Sequence, residues 1–242
     1  SVAIADVDGD NLPDLLLDGM LYHGRRGDQG LAFAATTLIP ALDPKLLRQA
    51  VIAEINGDGH PDVLASLRRG GVKAFLNPDK PKTPFVDATA TLGLADKANG
   101  AGLDGLISVG DWNDDGKADL FYAAGKGFLL VQQDGKFSAV PQELGLRFTS
   151  GNNDETGMTG SGCFMPLLQA GKQDLLLPVD AGWKVIENRN GTPVDVTEHG
   201  NEISEGSFLH LASVGADLNV DGYLDFYTIS RSEERRVGKE CA

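Results

Sequence analysis

The sequence predicts an all-β fold assembled from repeated antiparallel units, on three observations. An aspartate followed by an apolar run recurs as DLLL at Asp14, DVLA at Asp62, DLFY at Asp119, DLLL at Asp174 and DFYT at Asp225. The spacings of 48, 57, 55 and 51 residues exceed ankyrin and leucine-rich periods and suit one four-stranded blade each. Apolar stretches run only four to six residues between Gly, Asp and Pro, the length of strands.

Within the third period the strand signals fall in order at ISVGDW (107–112), DLFYAA (119–124), FLLVQQ (128–133) and FSAVPQ (137–142), with Asp134-Gly135 as a hairpin turn. The fourth period reads CFMPLL, DLLLPV, WKVIEN, a turn at Arg189-Asn190-Gly191, then PVDVT. The second strand of each unit is apolar without alternation, as expected where neighbouring blades cover both faces. Helical composition is confined to DPKLLRQA (43–50), enough for two turns. The expectation is a β-propeller over residues 1–230, with repeat cores near 2–17, 50–67, 106–124, 162–179 and 208–229 and about four blades in an unclosed arc.

The end of the chain departs from this pattern. Residues 231–241 read RSEERRVGKEC, which resembles the conceptual translation of a common sequencing-adapter oligonucleotide. Residues 231–242 are therefore expected to contribute nothing to the fold. They carry four basic and three acidic residues, so without them the net charge of −14 becomes −15.

That charge argues against nucleic acid as a partner, because phosphate binding needs clustered Lys and Arg whereas here the acids cluster. A cation is the better counter-charge, although acidity also keeps secreted proteins soluble. With 41% hydrophobic residues the chain can bury a core, and no apolar run approaches the roughly 18 residues that span a bilayer. Cys163 and Cys241 form no CxxC, and His23, His60, His199 and His210 lie scattered without a paired-histidine motif; each reads as a surface or packing residue.

Immediately before four of the five aligned aspartates stands a nine-residue acidic pattern: DVDGDNLPD (6–14), EINGDGHPD (54–62), DWNDDGKAD (111–119) and DLNVDGYLD (217–225). Oxygen side chains at alternate positions converge when the backbone curls, position six favours a left-handed residue, and the ninth aspartate can offer both oxygens. This is hard-cation chemistry. Asp, Asn and Gly are also good turn formers, but a turn does not require three or four carboxylates that repel one another at close range. The helix-loop-helix calcium motif needs Glu at position twelve, where this chain has Leu17, Ala65, Tyr122 and Thr228.

These loops and their period resemble the FG-GAP/VCBS repeats of integrin α-subunit propellers and of proteins of the cartilage acidic protein type. The resemblance implies a propeller, usually seven-bladed, with calcium in the hairpin between the first two strands of a blade. Carried over by position, the ligands are Asp6, Asp8, Asp10 and Asp14; Glu54, Asn56, Asp58 and Asp62; Asp111, Asn113, Asp115 and Asp119; and Asp217, Asn219, Asp221 and Asp225. About four Ca2+ ions follow. The fourth repeat keeps Asp174 but has Pro166, Leu168 and Ala170 at the ligand positions, so it is expected to hold none. Asn11 at position six and Glu54 at position one depart from the family pattern.

Other motifs carry less. Gly100-Ala101-Gly102-Leu103-Asp104-Gly105 spells a dinucleotide fingerprint but precedes a strand, so a flexible inter-blade loop is expected. Arg26-Gly27-Asp28 is a tripeptide that a Gly- and Asp-rich chain produces by coincidence. The sequon at Asn190 is followed by Pro193. Carboxylates outside the loops, such as Glu155, Asp180, Asp195 and Glu198, form no recognisable acid/base pair. The expected function is a non-catalytic, calcium-binding module for protein or glycan interaction at the cell surface, in the periplasm or outside the cell. The competing class is a propeller of, or fused to, a glycosidase or polysaccharide lyase.

Overall fold

A computed structural model describes residues 2–36, 39, 42–43, 45–78, 83–146, 161–168, 171–179, 182–197, 209–216 and 225–231. They form four four-stranded antiparallel sheets and a two-stranded one. The first blade comprises β1 (Val2–Ala5), β2 (Asp14–Leu17), β3 (Met20–Gly27) and β4 (Gly30–Thr36). The second comprises β5 (Leu47–Ala53), β6 (Asp62–Leu67), β7 (Gly71–Leu76) and β8 (Val86–Asp87). The third comprises β9 (Leu106–Gly110), β10 (Asp119–Ala123), β11 (Phe128–Gln133) and β12 (Lys136–Ala139). The fourth comprises β13 (Cys163–Met165), β14 (Asp174–Val179), β15 (Gly182–Arg189) and β16 (Thr192–Asp195), and β17 (Leu209–Ala216) pairs with β18 (Asp225–Arg231). Each sheet is a meander in chain order, and the first strands of successive sheets stand side by side, the arrangement of blades about an axis. Among the described residues the blades do not close into a ring.

The hairpins follow from turn chemistry. Asp134-Gly135 and Asn190-Gly191 both take two successive left-handed residues, with φ of 51° and 73° and of 54° and 83°, which matches the twist of the flanking strands.

The core lies between blades, and the middle strands supply both faces of it. Along β6, Val63 and Ala65 face the first blade's Leu16 and Leu21, while Leu64 faces the third blade. Along β10, Leu120 and Tyr122 face the second blade, and Phe121 faces Leu175, Leu177 and Ile186 of the fourth. Every residue of β10 is buried. That two-sided burial is why these strands read as unbroken apolar runs.

The most consistent polar feature is the aspartate that opens each second strand. Asp14, Asp62, Asp119 and Asp174 are no more than 2% exposed, yet each satisfies both oxygens with backbone donors. One oxygen accepts from the preceding loop: Val7 N at 2.8 Å, Ile55 N at 3.0 Å, Trp112 N at 2.9 Å and Leu168 N at 2.9 Å. The other accepts from the third strand or the residue after it: Gly24 N at 2.8 Å, Asn77 N at 2.7 Å, Gln132 N at 2.7 Å and Asn188 N at 2.9 Å. The carboxylate thus ties the loop to a strand that is not its neighbour in sequence.

Those third-strand residues also join the blades. Asn77 Nδ2 donates to Val7 O of the first blade at 2.7 Å, Gln132 Nε2 to Ile55 O of the second at 2.6 Å, and Asn188 Nδ2 to Trp112 O of the third. In each case the loop residue whose N–H binds its own aspartate gives its carbonyl to the next blade.

Three expectations change. Residues 43–50 form one turn, in which Asp43 O accepts from Leu46 and Leu47, and then enter β5. Leu47 and Ala50 are needed in the inter-blade core, which overrides helix propensity. The glycine-rich segment 100–105 joins two blades but is tied down: Leu103 O accepts from Tyr122 Oη and Gly71 N, and a Cβ at Gly100 would meet Tyr122 at 2.9 Å. Arg231 pairs with Leu209 at the end of β18, so it belongs to the strand, and the remaining tail residues lie outside the described residues.

Two outcomes follow. Asp174→Asn leaves one acceptor oxygen and turns an NH2 group toward a buried N–H, so it is expected to destabilise the protein by about 1–3 kcal/mol in denaturant unfolding. A change independent of calcium is predicted, and an unchanged midpoint contradicts the pinning role. The outer face of the first blade exposes Val2, Ile4, Leu17, Met20, Leu31 and Phe33, each at least 41% accessible. The isolated chain is expected to self-associate or to bind a hydrophobic dye; a monodisperse, dye-silent monomer contradicts the open arc.

Candidate functional site

The acidic loops connect the first and second strands of the first three blades and are shaped by side chain to backbone bonds. In the first, Asp6 accepts from Gly9 N at 2.8 Å and Asn11 N at 2.8 Å, Asp8 from Asp10 N at 3.3 Å, and Asp10 from Leu12 N at 2.8 Å. In the third, Asp111 accepts from Asp115 N at 3.1 Å and Gly116 N at 2.8 Å, and Asp115 from Lys117 N at 2.9 Å. Glu54 does the same in the second, reaching Gly57 N at 2.8 Å and also Gly59 N, so the longer arm still folds back onto the loop.

Two positions in each loop are left-handed. Position six is Asn11, Gly59 and Gly116, with φ of 65°, 85° and 78°, and position four is Gly9, Gly57 and Asp114, with φ of 74°, 79° and 59°. The second of these was not read from the sequence, because Asp114 hides it.

How closely the acids converge differs between loops. In the first, carboxylate oxygens of Asp6, Asp8 and Asp10 lie within 4.8 Å of one another. Among the described residues, no other acidic loop brings three Asp, Glu, His or Cys ligand atoms so close. In the second and third, Asn56 Nδ2 donates to Asp58 at 2.8 Å and Asn113 Nδ2 to Asp115 at 3.1 Å. Asp14, Asp62 and Asp119 stand at the base of their loops with both oxygens already accepting backbone N–H bonds. Their first role is structural, and any ligation draws on the remaining lone pairs. Asp217, Asn219 and Asp221 lie outside the described residues, and Asp225 is described only as the start of β18.

The carboxylates are costly to hold charged. Burial is the main cause that pushes Asp62 up to about 6, against the backbone bonds from Asn77 and Ile55, with Asp58 and Glu54 adding repulsion. Its contribution to stability is therefore full below the ordinary carboxylate value and lost as pH rises through about 6. Burial also raises Asp119, and it raises Asp8, with the charge of Asp14 adding to the shift. A cation in the loop reverses that cost.

His23, expected from the sequence to be a surface or packing residue, stands instead against two loop acids. Its Nδ1 lies 3.2 Å from Asp8 Oδ2 and 3.2 Å from Asp14 Oδ1, so it is neither a surface nor a simple packing residue. Acids outside the loops are engaged elsewhere: Asp195 with Lys184 at 2.6 Å and Asp104 with Arg48. Glu155, Asp180 and Glu198 lie outside the described residues. Arg26-Gly27-Asp28 sits at the exposed tip of the β3–β4 hairpin.

Residues 54–122 match the model of a family described as an FG-GAP-like repeat. Among curated proteins none matches the sequence. The solved structure of an Agrocybe aegerita lectin, described as recognising non-reducing terminal N-acetylglucosamine, aligns with a TM-score of 0.56 at 17% identity. The alignment covers 94% of this chain and 60% of the lectin, so the chain spans less than two thirds of the lectin's length. A Photorhabdus luminescens Tc holotoxin pore aligns at 17% identity over 81% of this chain and 9% of its own, with a TM-score of 0.39, too low to bear on the fold. The matched span holds the second and third acidic loops, the first blade carries the same loop, and the blades share one strand order. Residues 54–122 thus carry FG-GAP-like repeats, and the described blades have a β-propeller architecture.

Proposed function

We propose that the chain is a non-catalytic, calcium-binding propeller module that meets a glycan or protein ligand outside the cytoplasm. The carrying observation is the acidic loop itself: left-handed residues at positions four and six, oxygen side chains at one, three and five, and a cluster of three carboxylates in the first blade. Oxygen-only donors in a flexible loop suit calcium. The fourth blade supports treating the metal as an addition, since its loop keeps the left-handed Gly171 and the pinned Asp174 without the acids.

Ligation falls to the loop residues named from the sequence, including Asp217, Asn219, Asp221 and Asp225. Sites of this kind in extracellular modules bind with Kd of roughly 10⁻⁴ to 10⁻³ M. Cytosolic calcium leaves such sites empty, which supports placement in the periplasm or outside the cell. The lectin likeness supports a glycan as ligand class. No helix among the described residues is long and apolar enough to cross a membrane.

Metal analysis after calcium equilibration is expected to give about four ions per chain, with each occupied site adding about 0.5–2 kcal/mol at millimolar calcium. Asp115→Ala removes one ion, and Gln169→Ala removes none. Absence of binding at millimolar calcium overturns the proposal.

A further inference from the structure

We propose that the first loop takes a borderline first-row divalent cation of the zinc class through Asp8, Asp14 and His23. The inference deepens the calcium reading at one loop and rests on it only in treating Asp8 and Asp14 as cation ligands. It starts from a comparison the repeats make possible. Leu15 pairs with Tyr22, Val63 with Phe75 and Leu120 with Leu130, so the residues opposite Asp14, Asp62 and Asp119 are His23, Leu76 and Val131. Leu76 and Val131 pack against the inter-blade cores. The first blade gives up that packing for an imidazole whose Nδ1 is 3.2 Å from a carboxylate oxygen of each aspartate.

The geometry and the donor chemistry agree. Ligands held at roughly 2.0 Å around a tetrahedral cation stand roughly 3.3 Å apart, close to the observed separations. All three ligand atoms lie within 4.8 Å of one another. A nitrogen donor moves preference from calcium toward zinc-like cations, which accept imidazole readily. Backbone bonds already orient the ligands, because Asp14 is held by Val7 N and Gly24 N and Asp8 by Asp10 N. The His23 side chain is 15% exposed, so the site is shielded yet reachable. A metal-free alternative is an imidazolium that pairs with the two carboxylates, and binding data separate the two.

The test is a cobalt titration of the chelator-stripped chain, read by visible absorption. Cobalt is expected to give d–d bands without a thiolate charge-transfer band, zinc to displace it, and 1 mM calcium to leave it in place. His23→Leu, which copies Leu76 of the second blade, and His23→Gln are each expected to weaken cobalt binding at least about tenfold, the loss that even an outer partner of a metal ligand produces. An unchanged far-UV circular dichroism spectrum and a cooperative unfolding transition show that each variant folds. Absent bands, or cobalt affinity unchanged in both variants, overturn the inference. The calcium reading fails separately, through Asp115→Ala, so a His23-dependent cobalt signal stands whatever calcium does elsewhere.

Discussion

A carboxylate with no exposed surface must find donors for both its oxygens, and the way four aspartates do so organises every described blade. Asp14, Asp62, Asp119 and Asp174 each bind one N–H from the loop before them and one from the third-strand side of the same blade. Because the two donors are far apart in sequence, the bond pair fixes how the first hairpin sits on the rest of the sheet. The same loop residue then presents its carbonyl to the next blade, where Asn77, Gln132 or Asn188 donates to it. A charge buried in one blade is in this way linked to the register of its neighbour.

This arrangement separates the loop's structural work from the metal chemistry proposed for it. The fourth blade keeps the buried aspartate and the amide although the segment before Asp174 lacks the acids. In the first three, the added carboxylates raise the cost of the charged state, most clearly at Asp62, whose burial is reinforced by Asp58 and Glu54. A cation offsets that repulsion, and the loops differ in what they offer it. The first has three close carboxylates and an imidazole, whereas the second and third place an asparagine amide between two acids.

Much of this was legible in the sequence because it is local. The hairpin turns and position six of the loop depend on residues within nine positions of one another, and the period is legible because that local pattern recurs every 48 to 57 residues. What escaped depends on chain separations of 70, 77 and 76 residues, across which Asn77, Gln132 and Asn188 reach the preceding blade. A signal was present, since an amide side chain follows the buried aspartate by 15, 13 and 14 residues, but the first blade breaks it with Gly24. There a Cβ would come within 2.3 Å of Pro13 O. His23 escaped for a related reason, since its cross-strand placement opposite Asp14 appears only once the register of β2 and β3 is known. Residues 43–50 were misread because Leu47 and Ala50 serve a core contributed by another blade.

The central claim, that buried aspartates hold the blades with or without metal, is tested most directly by amide hydrogen exchange with calcium and with chelator. The account predicts strong protection of the Val7, Ile55, Trp112 and Leu168 amides and of their counterparts Gly24, Asn77, Gln132 and Asn188 in both conditions. Loop amides such as Gly9, Gly57 and Gly116 should gain protection only with calcium. Exchange of Leu168 and Asn188 at the rate of an exposed loop, or loss of protection at Ile55 and Asn77 on calcium removal, would contradict it.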